Sequence, residues 1–397
     1  MAQIITFAIM PVITRIYTPD EFGLYSIFFS ITTAIALISS FNYEQAIILP
    51  KSNKDAQAIL FLSLIILLVM VIFSIILILI FNKFLFVYFE ESPYLVWMIP
   101  LSVFILGLMQ IFDAYSNRQN FYRQMAKSKI ISASSTASLQ TASKSLFKLN
   151  GLVLSKMFSD LLGVLFLIRH HIKSNSIHLK NMNKKRVLVN AKKYDHFPKF
   201  QAGATFINYL SQYLPIYLFP YFYSPEVAGF YALSFRILMI PTTLVGGSVR
   251  SVYYQKASSM YANRDKIYPL YKKTTFGLLK LYLLPVIIVL LFGKEIFTFI
   301  FGQNWGISGE IAKIMVFVSL FSFLNIPSVM TFNILSLQKL QFKLQFLQFF
   351  LRAIAIAVGF YLFNSYMASI LLYSLAAVGN NIFLIYYINR KLSLEKL

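Results

Sequence analysis

Hydrophobic residues lie along this chain in long blocks separated by short polar punctuation. The blocks are too uniformly apolar for the one-faced helices of a soluble fold. Twelve of them stand at residues 2–16, 22–49, 56–82, 94–112, 130–148, 151–169, 200–222, 226–249, 274–301, 308–334, 343–363 and 366–389. A helix crosses hydrocarbon in about 20 residues at about 1.5 Å each, so the pattern predicts an all-α polytopic membrane protein with about 12 transmembrane helices. The block at 2–16 is short for a crossing, which implies a start further upstream or a first helix lacking a turn. The block at 130–148 is weakly apolar, because Ser132, Ser134, Ser135, Thr136, Ser138, Gln140, Thr141, Ser143 and Lys144 fall within it. It admits two placements: a helix buried among neighbours where small side chains permit close approach, or one wall of a water-filled cavity.

One phrase of the punctuation is written twice. Tyr17-Thr18-Pro19-Asp20-Glu21-Phe22-Gly23-Leu24-Tyr25 recurs about half a chain later as Tyr223-Ser224-Pro225-Glu226-Val227-Ala228-Gly229-Phe230-Tyr231. Each copy is a helix start: Thr18 or Ser224 caps, proline follows at the first helical position, and acids occupy the first turn near the positive dipole end. The duplication predicts an N-terminal six-helix lobe at 1–169, a basic linker at 170–199 and a C-terminal six-helix lobe at 200–397. Six is even, so the two lobes run parallel, related by an axis along the membrane normal.

Composition agrees with lipid: 58% of residues are hydrophobic, 13% are charged, and the mean hydropathy is +0.68. Cysteine is absent, which excludes disulfides, thiolate metal sites and thiol chemistry. The net charge of +22 does not point to nucleic acid, because the cations sit between apolar blocks as topology signals do. Arg169 to Lys199 carries nine Lys and Arg against the single acid Asp195, and so belongs on the cytoplasmic side. Counting spans outward from it places both termini inside. The opposite connections are short and hold Asp20, Glu21, Glu90, Glu91 and Glu226. No basic flank precedes the apolar start, so no cleavable signal peptide is apparent.

Several phrases together resemble a known family. Ile13 to Tyr25, Tyr43-Glu44-Gln45-Ala46-Ile47-Ile48-Leu49-Pro50-Lys51-Ser52, Tyr194-Asp195-His196-Phe197-Pro198, Gln212-Tyr213-Leu214-Pro215 and Phe235-Arg236-Ile237-Leu238-Met239-Ile240-Pro241 are similar to the signatures of polysaccharide-biosynthesis (O-antigen, Wzx-type) flippases. These belong to the multidrug/oligosaccharidyl-lipid/polysaccharide exporter superfamily, whose fold is MATE-like. The resemblance covers nearly the whole chain. It implies two lobes around a central cavity, and a multi-pass protein of the bacterial cytoplasmic (inner) membrane. The implied activity is translocation of undecaprenyl-diphosphate-linked oligosaccharide to the outer leaflet by alternating access. Lipid-linked oligosaccharide and membrane lipids are then the partners, with the polysaccharide polymerase and assembly machinery beyond them. One chain holds both lobes, so a monomer suffices, and no cofactor is implied.

The embedded polar residues suit that cargo. Arg236 lies about eleven residues, roughly 16 Å, into its span, and Arg352 lies about nine residues from one end of the eleventh. A charge at such depth costs at least about 2.5 to 3.5 kcal/mol, so it faces a wet interior or a counter-ion. Guanidinium suits a diphosphate, which makes Arg236, Arg352 and the helix-end Arg15 candidate substrate contacts. Asn208, Gln212 and Tyr213 of the seventh span are candidates for hydrogen bonding and stacking on sugars. Each sugar hydroxyl stripped into hydrocarbon without a partner costs about 4 to 8 kcal/mol, so a polar passage is a physical requirement. Glu44 and Asp160 are candidates for ion coupling. For Asp160 the alternative is a structural pair with Lys156 four residues earlier. For Glu44 it is an interfacial pair with Lys51 or Arg118.

The chain has no Gly-x-x-x-x-Gly-Lys-Ser/Thr phosphate loop, so ATP is not its energy source. Moving about two negative charges outward is favoured by roughly 4 to 5 kcal/mol per 100 mV. Two rivals are open: a multidrug or cation antiporter of the same superfamily, which prefers acids in its cavity, and a membrane polysaccharide polymerase, which needs a large external loop. The chain is read as a transporter and not an enzyme.

Overall fold

The computed structural model describes residues 2–89, 92–177 and 183–394. Glu90, Glu91 and part of the basic linker lie outside them. Of the described residues 88% are helical and none is in a strand, and the chain divides into two compact units, Met1–Leu210 and Ser211–Leu397. The division falls inside one helix.

The first unit holds α1 (Ala2–Ala8), α2 (Met10–Ile16), α3 (Pro19–Ala36), α4 (Tyr43–Ala46), α5 (Asn53–Tyr88), α6 (Tyr94–Arg118), α7 (Tyr122–Ala142), α8 (Lys144–Lys173), α9 (Lys184–Lys193) and the first part of α10 (Ala202–Phe222). The second holds the rest of α10, then α11 (Pro225–Leu238), α12 (Ile240–Leu244), α13 (Gly246–Ala262), α14 (Tyr268–Phe301), α15 (Gly306–Leu324), α16 (Ile326–Ile334), α17 (Gln338–Phe363) and α18 (Tyr366–Leu394). Among the described residues, seven helical stretches are long and apolar enough to cross a bilayer. Other expected spans are built from pieces, as α1 with α2, α3 with α4, and α11 with α12 and α13.

Burial confirms lipid as the solvent. Along α5 the outward stripe is Ile65, Leu68, Val69, Ile72, Ile76 and Leu79, while Ser63 and Ser74 point inward. A soluble helix places those residue types the other way round. The protein is a multi-pass membrane protein.

Both copies of the duplicated phrase start a helix as read. Thr18 accepts from the Glu21 amide while Glu21 reaches back to the Thr18 amide, a complete capping box for α3. Ser224 accepts from the Val227 amide at 3.4 Å, and with valine in place of the acid the reciprocal bond is missing. Each phrase is also clasped to the last hairpin of its own unit. The Tyr17 hydroxyl donates to the Gln140 carbonyl near the end of α7 at 2.9 Å, and Tyr223 bonds Ser369 at the start of α18 at 2.8 Å. Glu21 adds an ion pair with Lys144 at 2.5 Å.

Two boundaries differ from the sequence reading. The weakly apolar span is α7, which ends at Ala142, so Ser143 is a turn and Lys144 already opens α8. Its serines make close contacts: Ser128 donates to the Gly163 carbonyl at 2.8 Å, and Gln140 to the Leu152 carbonyl at 3.0 Å. Ser128, Ser132 and Gln140 thus form a buried face, while Ser134 and Ser138 are exposed. The basic linker is likewise more than a solvated loop. Tyr194 and Phe197 are buried in one core cluster with Tyr43, Ile47, Ile59, Leu60 and Tyr115. The Tyr43 hydroxyl donates to the Ala191 carbonyl at 2.9 Å.

Candidate functional site

The embedded polar residues fall into separate groups, and those of Glu44 and Arg236 are set by local interruptions of a helix. In the first unit α3 stops at Ala36, and the chain passes through Phe41 and Asn42, both with positive φ, before the single turn of α4. Asparagine tolerates that conformation. The break carries Glu44 inward: it is 7% exposed, accepts from the Ser40 hydroxyl, and has no ion pair among the described residues. Arg118, one of its expected partners, instead donates to the Ile48 carbonyl at 3.0 Å and to Asn53 at 3.1 Å. Around Glu44, Asn42 donates to Thr205 of α10 at 3.3 Å, and Gln201 donates to Gln45 at 2.5 Å. Asn42 Oδ1 and Ser39 Oγ are buried without a partner among the described residues.

Asp160 has a different setting. On α8 it pairs with Lys156 one turn earlier and accepts from Ser132 of α7 at 2.7 Å. One carboxylate oxygen is therefore held by a cation and a hydroxyl. Arg15, at the end of α2, is exposed.

In the second unit α11 ends at Leu238, just before Pro241, and Arg236 stands in its last turn. It is half-buried, and its guanidinium has no hydrogen bond or ion pair with a described residue. The preceding residue, Phe235, meets the Tyr213 ring of α10 edge-on at 5.4 Å. On α10, Asn208 and Tyr213 are half-buried and Gln212 is exposed. The structure thus brings Tyr213 to within one residue of Arg236 along α11, and does not join Arg236 to Arg352.

Arg352 of α17 is only 5% exposed. Nη1 donates to the Ser211 carbonyl at 3.1 Å and to its hydroxyl at 3.0 Å. With its amide oxygen turned to the guanidinium, Gln348 accepts from Nε at 3.2 Å and from Nη2 at 2.6 Å. The guanidinium also lies 5.1 Å from the centre of the Tyr373 ring. Among the described residues it has no acidic partner.

Sequence reasoning missed Ser211, Gln348 and Tyr373. The available signal was the proline four residues after Ser211, which removes the amide that would occupy the Ser211 carbonyl. It also missed the buried chain from Asn325 to Asn381 at 2.8 Å and on to Ser322 at 3.3 Å.

Residues 12–310 match the sequence model of a family described as polysaccharide biosynthesis protein. The chain belongs to this family. No curated protein matches its sequence. Among solved structures it is similar to a multidrug resistance MATE family transporter of the MOP superfamily in an inward-facing conformation. That likeness has 12% identity and a TM-score of 0.82, covering 99% of this chain and 95% of the other. It is also similar to the lipid II flippase MurJ in an inward closed conformation, with 15% identity and a TM-score of 0.76 over 99% and 89% of the two chains. A MOP superfamily transporter from Pyrococcus furiosus, described as having a binding pocket of reversed polarity, aligns at 12% identity with a TM-score of 0.65, over 100% and 93%. At these identities the likeness establishes the MATE-like fold that the sequence predicts.

Proposed function

We propose that this member of the polysaccharide biosynthesis family is a flippase. Its cargo is undecaprenyl-diphosphate-linked oligosaccharide, moved across the bacterial cytoplasmic membrane by alternating access, with both termini inside. The observation that carries the reading is Arg236: a guanidinium in the last turn of α11, half-buried and with no acidic partner among the described residues, in a family named for polysaccharide biosynthesis. An embedded cation of that kind is stabilised by an anionic ligand, and the diphosphate supplies two charges that accept bidentate hydrogen bonds. Asn208, Gln212 and Tyr213 of α10 supply hydroxyl-matching and stacking groups for sugars, and Arg15 a second cation. Of the two ion-coupling candidates, Glu44 suits a titrating role better than Asp160, whose carboxylate is already paired. The polymerase and assembly machinery take the product, and a monomer performs the transport.

Depletion of the protein is expected to trap undecaprenyl-linked glycan on the inner leaflet, with release on re-expression, read by leaflet-selective labelling and mass spectrometry of the lipid. Arg236→Ala is expected to insert normally yet fail to restore export. If depletion leaves the glycan lipid untouched and instead sensitises cells to cationic dyes, the antiporter reading replaces this one.

A further inference from the structure

We infer that Arg352 is a positioning residue: it stands in for the amide hydrogen that Pro215 lacks, and so ties the proline-interrupted part of α10 to α17 and α18. In an α-helix the N–H of each residue occupies the carbonyl four positions earlier. Pro215 has no N–H, so the carbonyl of Ser211, a residue only 2% exposed, is orphaned by the helix, and an unsatisfied polar group buried there is costly. Two side chains from other helices fill the gap. Arg352 Nη1 donates to that carbonyl at 3.1 Å, and the Tyr373 hydroxyl approaches it at 3.4 Å while donating to the next carbonyl, Gln212, at 3.1 Å. Gln348 holds the opposite edge of the guanidinium through Nε and Nη2, fixing its plane, and the Tyr373 ring packs on its face. Only a rigid fork reaches Ser211 and Gln348 together; a lysine ammonium is a single point.

Arg236 is half-buried with no described partner, whereas Arg352 is buried with donors on both edges engaged by the protein. These contacts among α10, α17 and α18 do not depend on the proposed transport, so the test is run without cargo.

The chain has no cysteine, so Gly203→Cys and Tyr221→Cys in the full-length protein give two unique spin-label sites on α10, roughly 27 Å apart along an uninterrupted helix. A side chain at position 203 meets nothing within 4 Å, and Tyr221 is exposed. Arg352→Gln is expected to lower the Tm of the purified protein by about 4 to 8 °C and to broaden the label distance. Adding Pro215→Ala, which returns an amide to the Ser211 carbonyl, is expected to restore both readouts toward the parent. Arg352→Lys is expected to be impaired and to be restored by the same second change, which keeps the test open if Arg352→Gln does not accumulate. Equal losses with and without Pro215→Ala, or parental behaviour of Arg352→Gln, would overturn the assignment.

Discussion

Glu44 and Asp160 show how a carboxylate takes two roles from its surroundings. Glu44 meets a serine hydroxyl, while Asp160 meets a lysine. Glu44→Gln keeps the shape and removes the charge, so transport into vesicles is expected to lose its dependence on an imposed proton or sodium gradient while still responding to potential. Unchanged gradient dependence would remove Glu44 from coupling. Asp160→Asn leaves Lys156 without its partner and is expected to cost about 1.5 to 3 kcal/mol of stability, visible as a lowered Tm. The Lys156–Asp160 pair was legible in the sequence because four residues bring two side chains to one helix face. The setting of Arg352 was not, since depth along a helix is readable from residue number but Ser211 on α10 lies 141 residues from Arg352 and 162 from Tyr373 in the chain.

At the scale of elements, capping and close approach make separable predictions. Thr18→Ala removes one bond of a capping box whose Glu21 also pairs with Lys144, and is expected to destabilise more than Ser224→Ala, for which about 0.5 to 1 kcal/mol is expected. Gly359 is a second case. A Cβ there would stand 2.4 Å from the Ser369 Cα, so α17 and α18 must separate in Gly359→Ala, whereas at Gly379 a Cβ meets nothing within 4 Å. The first substitution is expected to lower Tm; the second is expected to hold or raise it, since alanine favours helix by about 0.5 to 1 kcal/mol. The helices themselves were read from hydrophobic blocks, and their capped starts from the duplicated phrase. Their interruptions were harder to see. Apolar residues run on through Leu37 and Ile38, and through Met239 and Ile240, so the hydrophobic signal continues where the hydrogen-bond ladder stops. Basic residues read as loop markers, such as Lys256 and Lys272, in fact extend α13 and α14, because lysine is a good helix former and a helix does not end where hydrocarbon does.

For the whole molecule, Tyr194 and Phe197 of the basic segment between the duplicated halves are part of the first unit's core. Phe197→Ala is expected to destabilise that unit by about 3 to 5 kcal/mol, and hydrogen exchange should accelerate around Tyr43, Leu60 and Tyr115 while the protection of α14 to α18 is retained. Exchange rising equally in both units would show that they do not unfold separately. The tyrosine clasps carry a consequence for synthesis. Tyr17 reaches across 123 residues and Tyr223 across 146, each to the closing hairpin of its own half. A ribosome delivering this protein to the membrane therefore completes the first knot before the partner of the second has been translated, and each half can be locked in turn as it leaves the insertion machinery.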